Sequence, residues 1–193
     1  MLNRRNVLQS LSVAPALFLT QAASSAPRRK VLRVAGIGTQ YFKNSHCDVI
    51  FTKIMQGWDH LGFEGPKLQL VSMYVEQKTD NDISVAKSKA HGVPISNTID
   101  DALTLGTQNL QCDAVLSIAE HGNYEVDAIA KQRKYPRRRF FDEIADVFER
   151  TGKTVPVFND KHLSWNWQDA KAMYDRARQL KIPMQAGSSL AFT

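Results

Sequence analysis

Cysteine is scarce in this chain: Cys47 and Cys112 are the only two among 193 residues. Two are too few for a disulfide scaffold, and neither has a C-x-x-C partner, so the usual zinc and dithiol spacings are excluded. The five histidines, His46, His60, His91, His121 and His162, lie scattered without ligand spacing, so no metal centre is expected. No nucleophile stands in a pattern with a recognisable base, and there is neither an internal repeat nor a low-complexity tract. Excess charge is also small. The formal net charge is +6, and it drops to +4 once Arg4 and Arg5 are set aside with the leader described next. That balance describes an ordinary solvated surface and argues against nucleic acid as a partner.

No acid occurs before residue 27. Asn3-Arg4-Arg5-Asn6-Val7-Leu8-Gln9 resembles a twin-arginine export signal. A moderately apolar stretch follows from Val7 to Thr20, broken by Gln9, Ser10, Ser12 and Pro15, and small residues cluster at Ala22-Ala23-Ser24-Ser25-Ala26. The stretch is too short and too broken for a spanning helix. The expected organisation is a signal peptide over 1–26, one domain over 27–190 and a short end at 191–193. The mature chain is expected to be periplasmic or extracellular.

With 43% hydrophobic and 23% charged residues, the remainder suits one domain with a sizeable core. Strands are predicted at Val31–Ala35, Leu68–Val75, Val93–Ile95, Asp113–Ala119, Thr154–Phe158 and Pro183–Ala186. Helices fall between them. Ile50, Phe51, Ile54, Trp58 and Leu61 recur at helical spacing over 46–61. Shorter helices are expected at Asp82–His91 and from Asp100. A longer one starts at Pro136 with Phe141, Ile144 and Phe148 on one face, and the last is capped by Asn166 with Asp169 three residues on. Regular alternation of strand and helix implies an α/β fold with a doubly wound, parallel six-stranded sheet. Cys47 and Cys112 then fall at opposite ends of the strands, too far apart to bridge.

The first strand runs into Gly36-Ile37-Gly38-Thr39, a Gly-x-Gly turn that would set backbone N–H groups against a diphosphate. Tyr41 stands where a third glycine would complete G-x-G-x-x-G. His91-Gly92-Val93-Pro94 with Asp100-Asp101-Ala102-Leu103, and Val155-Pro156-Val157-Phe158-Asn159-Asp160-Lys161-His162-Leu163, resemble two passages of the Gfo/Idh/MocA oxidoreductases. The second is similar to that family's strand ending in Glu-Lys-Pro, read here as Asp160-Lys161-His162. The resemblance covers about Lys30 to Ser189 and implies an NAD(P)-binding Rossmann-like domain acting on sugar- or polyol-type alcohols.

By that resemblance Lys161 is the residue beside the nicotinamide that polarises the alcohol or carbonyl, with Asp160 next to it. Glu120-His121-Gly122-Asn123, after strand four, would border the same ring, and His121 is a candidate acid/base. Gly36, Ile37, Gly38 and Thr39 are the candidate diphosphate contacts. Glu76, at the end of strand two, is the candidate ribose acid for NAD, with Lys78 leaving NADP open. It lies 38 residues after Gly38, against the usual twenty or so. Lys131 to Arg139 carries six positive charges in nine residues, read as a solvated run or as a face for an anionic ligand group. The family's second domain finds no counterpart here. The chain alone is therefore expected to bind nucleotide without appreciable turnover, and to leave an open edge for an oligomer or partner chain. The alternative is a non-catalytic Rossmann-like binding module.

Overall fold

The computed structural model describes residues 30–57, 59–60 and 63–188. The leader read at 1–26 and the end at 191–193 lie outside the described residues, as do Trp58 and Leu61 of the first helical pattern. Six parallel strands form one sheet: β1 (Leu32–Gly38), β2 (Leu68–Val75), β3 (Ile95–Ser96), β4 (Ala114–Ile118), β5 (Val157–Asp160) and β6 (Met184–Gly187). Their spatial order is β3-β2-β1-β4-β5-β6, so the direction of winding reverses between β1 and β4. This is the doubly wound α/β architecture expected from the alternation. An additional antiparallel pair, Asp59–His60 with Phe63–Glu64, lies outside the sheet.

Helices cover both faces, and the side-chain period of two decides which residues each face receives. Ala35 and Ile37 point to one face. There they share a core with α3 (Ile99–Thr104), α4 (Arg137–Thr151) and α5 (Trp167–Gln179) through Ile99, Leu103, Phe140, Phe141, Ile144 and Met173. The first helix packs on the opposite face. It is a π turn, Asp48–Thr52, running into α1, Lys53–Gln56, and its Phe51 and Ile54 meet Leu70, Met73 and Ile118. The remaining helix, α2 (Ser84–His91), is closed by Gly92 in the left-handed conformation.

Of the boundaries that differ from expectation, three have a clear physical reason. β1 continues through the glycines: Gly36 pairs with Met73, and Gly38 pairs with both Val75 and Ile118. The turn starts at Thr39. Both glycines face the first helix, where a Cβ on Gly36 would lie 2.7 Å from Phe51 Cζ and one on Gly38 would lie 2.5 Å from Cys47 Sγ. They are bare because a helix lies against them. The first helical segment ends at Gly57, with φ of 87°, ahead of the predicted stop. β5 begins after Pro156, which has no N–H to give a ladder, and ends two residues later than expected, so Asp160 becomes its last residue. Cys47 and Cys112 are both buried and unbridged.

Close packing at Gly38 gives a double-variant test. Gly38→Ala should destabilise the chain by about 1–3 kcal/mol through overpacking. Adding Cys47→Ala removes the atom that is struck and should return most of the loss, read as urea midpoints at unchanged m-value.

Candidate functional site

Three connections meet at the carboxyl edge of β1, β4 and β5. The first, from Thr39 to His46, is held by several hydrogen bonds within the chain. Buried Thr39 donates its hydroxyl hydrogen to the Glu120 carbonyl at 2.5 Å. Gln40 donates to the Gln77 side-chain oxygen, which also accepts from the Asn123 amide at 2.8 Å. Ser45 Oγ accepts from the amides of Phe42 and Asp48, both at 3.2 Å. Asp48 accepts from the Asn44 amide at 2.9 Å and from the Thr52 hydroxyl at 2.6 Å, which sets a carboxylate in the helix's first turn.

The second and third connections bring in the chemistry. Asp160 is fully buried, and its Oδ2 lies 2.7 Å from Nδ1 of His46, while its Oδ1 has no hydrogen-bond partner among the described residues. Lys161 follows at a φ of 69°, with its amide donating to the Gly187 carbonyl at 2.8 Å. His121 sits at the end of β4 at a φ of 70°. Its ring packs edge-on against Phe42 at 5.2 Å and against His46 at 5.6 Å. Its Nε2 is buried without a partner among the described residues. Burial holds the His121 imidazolium below the ordinary histidine range, helped by the like charges of His46 and Lys161 and opposed by Glu120 and Asp160. Left-handed φ at two non-glycine residues of one edge stores backbone strain of the kind found at functional sites.

Glu120 forms an ion pair with Arg137, whose side chain is 1% exposed. The guanidinium lies 5.1 Å from the Tyr135 ring, and its NH1 is 3.4 Å from His162 Nε2. Burial, and then the Arg137 charge, hold His162 below its ordinary range too. Arg137 entered the sequence reading only as one of a charge run. The signal that isolates it is its place on the face of Phe141, Ile144 and Phe148, at i, i+4, i+7 and i+11. Four more of the run's cations are paired: Arg133 with the Tyr124 carbonyl, Lys134 with Glu125, Arg138 with Asp169, and Arg139 with Glu143 and Glu76. A groove of about 640 Å³ opens beside these side chains, walled by Tyr124, Tyr135, Trp165 and Arg139.

The predicted residues therefore separate into two groups. Lys161, His121, Glu120 and Asp160 share the edge with Gly38 and Thr39, whereas Gly36 and Ile37 lie within β1 below it. Glu76 does end β2, but one carboxylate oxygen accepts from the Tyr124 hydroxyl at 2.8 Å and the other from Arg139 at 2.5 Å. His46, considered in the sequence only as a metal ligand, stands at the centre of the group. Among the described residues no His, Cys, Asp and Glu set could hold a metal ion.

What these residues offer the reactive end of a pyridine nucleotide is the Lys161 ammonium at the strand ends; His121 Nε2 and Asp160 Oδ1 are unpartnered among the described residues but buried. At the diphosphate and ribose ends, a nucleotide in this fold's usual pose would exchange existing bonds of Ser45 and Glu76 for its own.

The two depressed histidines set a pH dependence. Their folded forms bind fewer protons than the unfolded chain just below its histidine pKa of about 6.5. Their contribution is thus full above that value and is lost as pH falls through it toward the folded values. Urea unfolding between pH 7.5 and 5 should show stability falling with acidity, and His121→Gln should flatten that slope.

No protein-family model matches the chain, and no curated protein does either. Solved structures match in fold. Biliverdin reductase from Synechocystis sp. PCC 6803, solved with biliverdin and NADP+, aligns with 81% of this chain and 38% of its own at 15% identity and a TM-score of 0.51. GenD2 from gentamicin A biosynthesis, solved with NAD, aligns with 82% of this chain and 35% of its own at 11% identity and a TM-score of 0.50. A probable dehydrogenase from Thermotoga maritima aligns with 81% of this chain and 36% of its own at 16% identity and a TM-score of 0.50. The chain thus spans little more than a third of the length of these proteins. At such identities the likeness is one of fold, and by fold the described chain is Rossmann-like.

Proposed function

We propose that this chain is the nucleotide-cofactor domain of an oxidoreductase of the Gfo/Idh/MocA type, working at the carboxyl edge of β1, β4 and β5. The observation that carries this reading is the gathering of Lys161, His121, Asp160 and Glu120 where the strand order reverses. Two proteins of like fold, solved with NADP+ and with NAD, supply the ligand class by analogy. On this reading Gly36, Ile37, Gly38 and Thr39 underlie the diphosphate and Glu76 faces the ribose. Glu120 and Asp160 flank the nicotinamide, which when bound would supply the hydride acceptor. The Lys161 ammonium opposes charge that develops on the oxygen of a sugar- or polyol-type alcohol, and His121 lines the same site. Export through the twin-arginine-type leader, and a partner or second copy over the open edge, belong to the same proposal.

A second reading has its own observation. The loop after β1 is already capped by Ser45 and carries the Asp48 carboxylate in the helix's first turn, which favours a binding module that has given up the dinucleotide. Titration of the mature chain with NADH and NADPH, followed by nucleotide fluorescence, separates the two. The oxidoreductase reading expects saturable binding. It also expects Asp48→Asn to tighten that binding about five-fold, since an opposed charge in a helix's first turn is worth up to about 1 kcal/mol. No response to either nucleotide, in the parent chain or in the variant, would leave the module reading standing.

A further inference from the structure

We propose that the outer edge of β6, with the face of α5 beside it, is a docking surface for a second copy of this chain, joined about a two-fold axis through Gln185. The inference rests on the proposed cover of the open edge by a second copy, and it assigns that cover to a named strand and helix. It needs neither nucleotide nor turnover.

β6 is the last strand of the sheet, so Met184–Gly187 pair on one side only among the described residues. The Val157 amide donates to the Pro183 carbonyl and the Lys161 amide to the Gly187 carbonyl, each at 2.8 Å. Backbone direction alternates along a strand. Pro183, Gln185 and Gly187 therefore turn their polar groups toward β5, and Met184 and Ala186 turn theirs outward. The run Met184-Gln185-Ala186-Gly187 carries neither charge nor proline, the devices that ordinarily blunt such an edge. Antiparallel pairing of this edge with itself about Gln185 sets Met184 opposite Ala186 of the second copy, and Ala186 opposite its Met184. Each pair exchanges both of its N–H···O bonds, so the outward donors and acceptors of these residues all find partners.

α5 makes the surface fit a second copy rather than any strand. A two-fold axis normal to the sheet keeps both copies of α5 on one face and runs them antiparallel. Between α5 and β6 lies a hollow of about 400 Å³, walled by Tyr174, Arg178, Ile182, Met184 and Ala186. Tyr174 is 55% exposed, and it precedes Arg178 by one helical turn. Antiparallel copies set the Tyr174 ring of each against the Arg178 guanidinium of the other, which is the reciprocal contact a two-fold interface requires. Arg178 is exposed and has no ion pair among the described residues, whereas Arg176 is bonded to Asp142, Asp146 and Glu149. A tyrosine ring offers that cation an attractive π face, and closing the hollow to water strengthens the attraction. The opposite end of the sheet has no such surface, since β3 offers two residues behind Pro94.

Two short strands and two helix faces make a small interface, so the test is sedimentation velocity of the full chain from about 5 to 500 µM, without nucleotide. A monomer–dimer transition within that range is the expected result. Arg178→Glu and Tyr174→Ala should each weaken the dimer about ten-fold, because each removes the cation–π contact twice, and both should leave the urea midpoint of the monomer in place. Amide hydrogen exchange reads the strand pairing residue by residue. Exchange at Met184 and Ala186 should slow as concentration rises, while Gln185, which faces β5, is protected at every concentration. A chain that stays monomeric throughout, with Met184 and Ala186 exchanging fast, would leave the edge to some other protein and overturn the proposal. Those two amides protected in a monomer would show the edge covered from within the chain. A dimer that leaves them fast, or that survives both variants unweakened, would be joined elsewhere; each of these results rejects the proposal. No nucleotide enters these measurements, so a failed dimer and a failed NADH or NADPH titration remain distinct results.

Discussion

The close approach of the first helix to β1 is the constraint on which the site depends. Two residues without side chains, Gly36 and Gly38, let Phe51 and Cys47 rest against the strand's backbone. A helix held that near the sheet brings its first turn over the ends of the neighbouring strands, and His46 is in that turn. The contact with Asp160 on β5 follows from this placement. A layer of hydrocarbon packing on one side of β1 thus decides the distance between two polar groups on the other side of β4.

Around that contact the chain meets the demand that buried charge be partnered. Arg137 is enclosed and answered by Glu120, and Asp160 is enclosed and answered by His46. The atoms left over, His121 Nε2, Asp160 Oδ1 and Arg137 Nε, belong to the same few side chains. The other unsatisfied atoms among the described residues are Ser117 Oγ and Asn159 Oδ1 in the strands and Asp82 Oδ2 and Ser164 Oγ in loops.

Much of the fold was legible because it follows local rules. Leu68 to Val75 reads as a strand from its apolar run and is one; Asn166 caps α5 through the Asp169 amide at 2.7 Å, as the spacing foretold. Gly36 and Gly38 misled because glycine marks a turn in one dimension, while its use here, admitting a neighbouring helix, exists only in three. The site was legible in part for the same reason. Lys161, His121 and Glu120 each follow a strand and Asp160 ends one, and strand ends in a parallel sheet converge. His46 was not legible, since nothing near position 46 in the sequence refers to position 160. The partners of Glu76 were equally hidden: Tyr124 and Arg139 reach it from 48 and 63 residues away.

The outer strand β3 is only two residues long, and Pro94 stands immediately before it. Pro94 offers a carbonyl, which the Met73 amide already uses at 3.0 Å, and has no amide hydrogen to present to a neighbour. At β3 itself the edge exposes only two residues of backbone that an incoming strand could copy. A chain passing through partly folded states would find little there to template aggregation, so the brevity of β3 acts as a built-in stop to sheet growth.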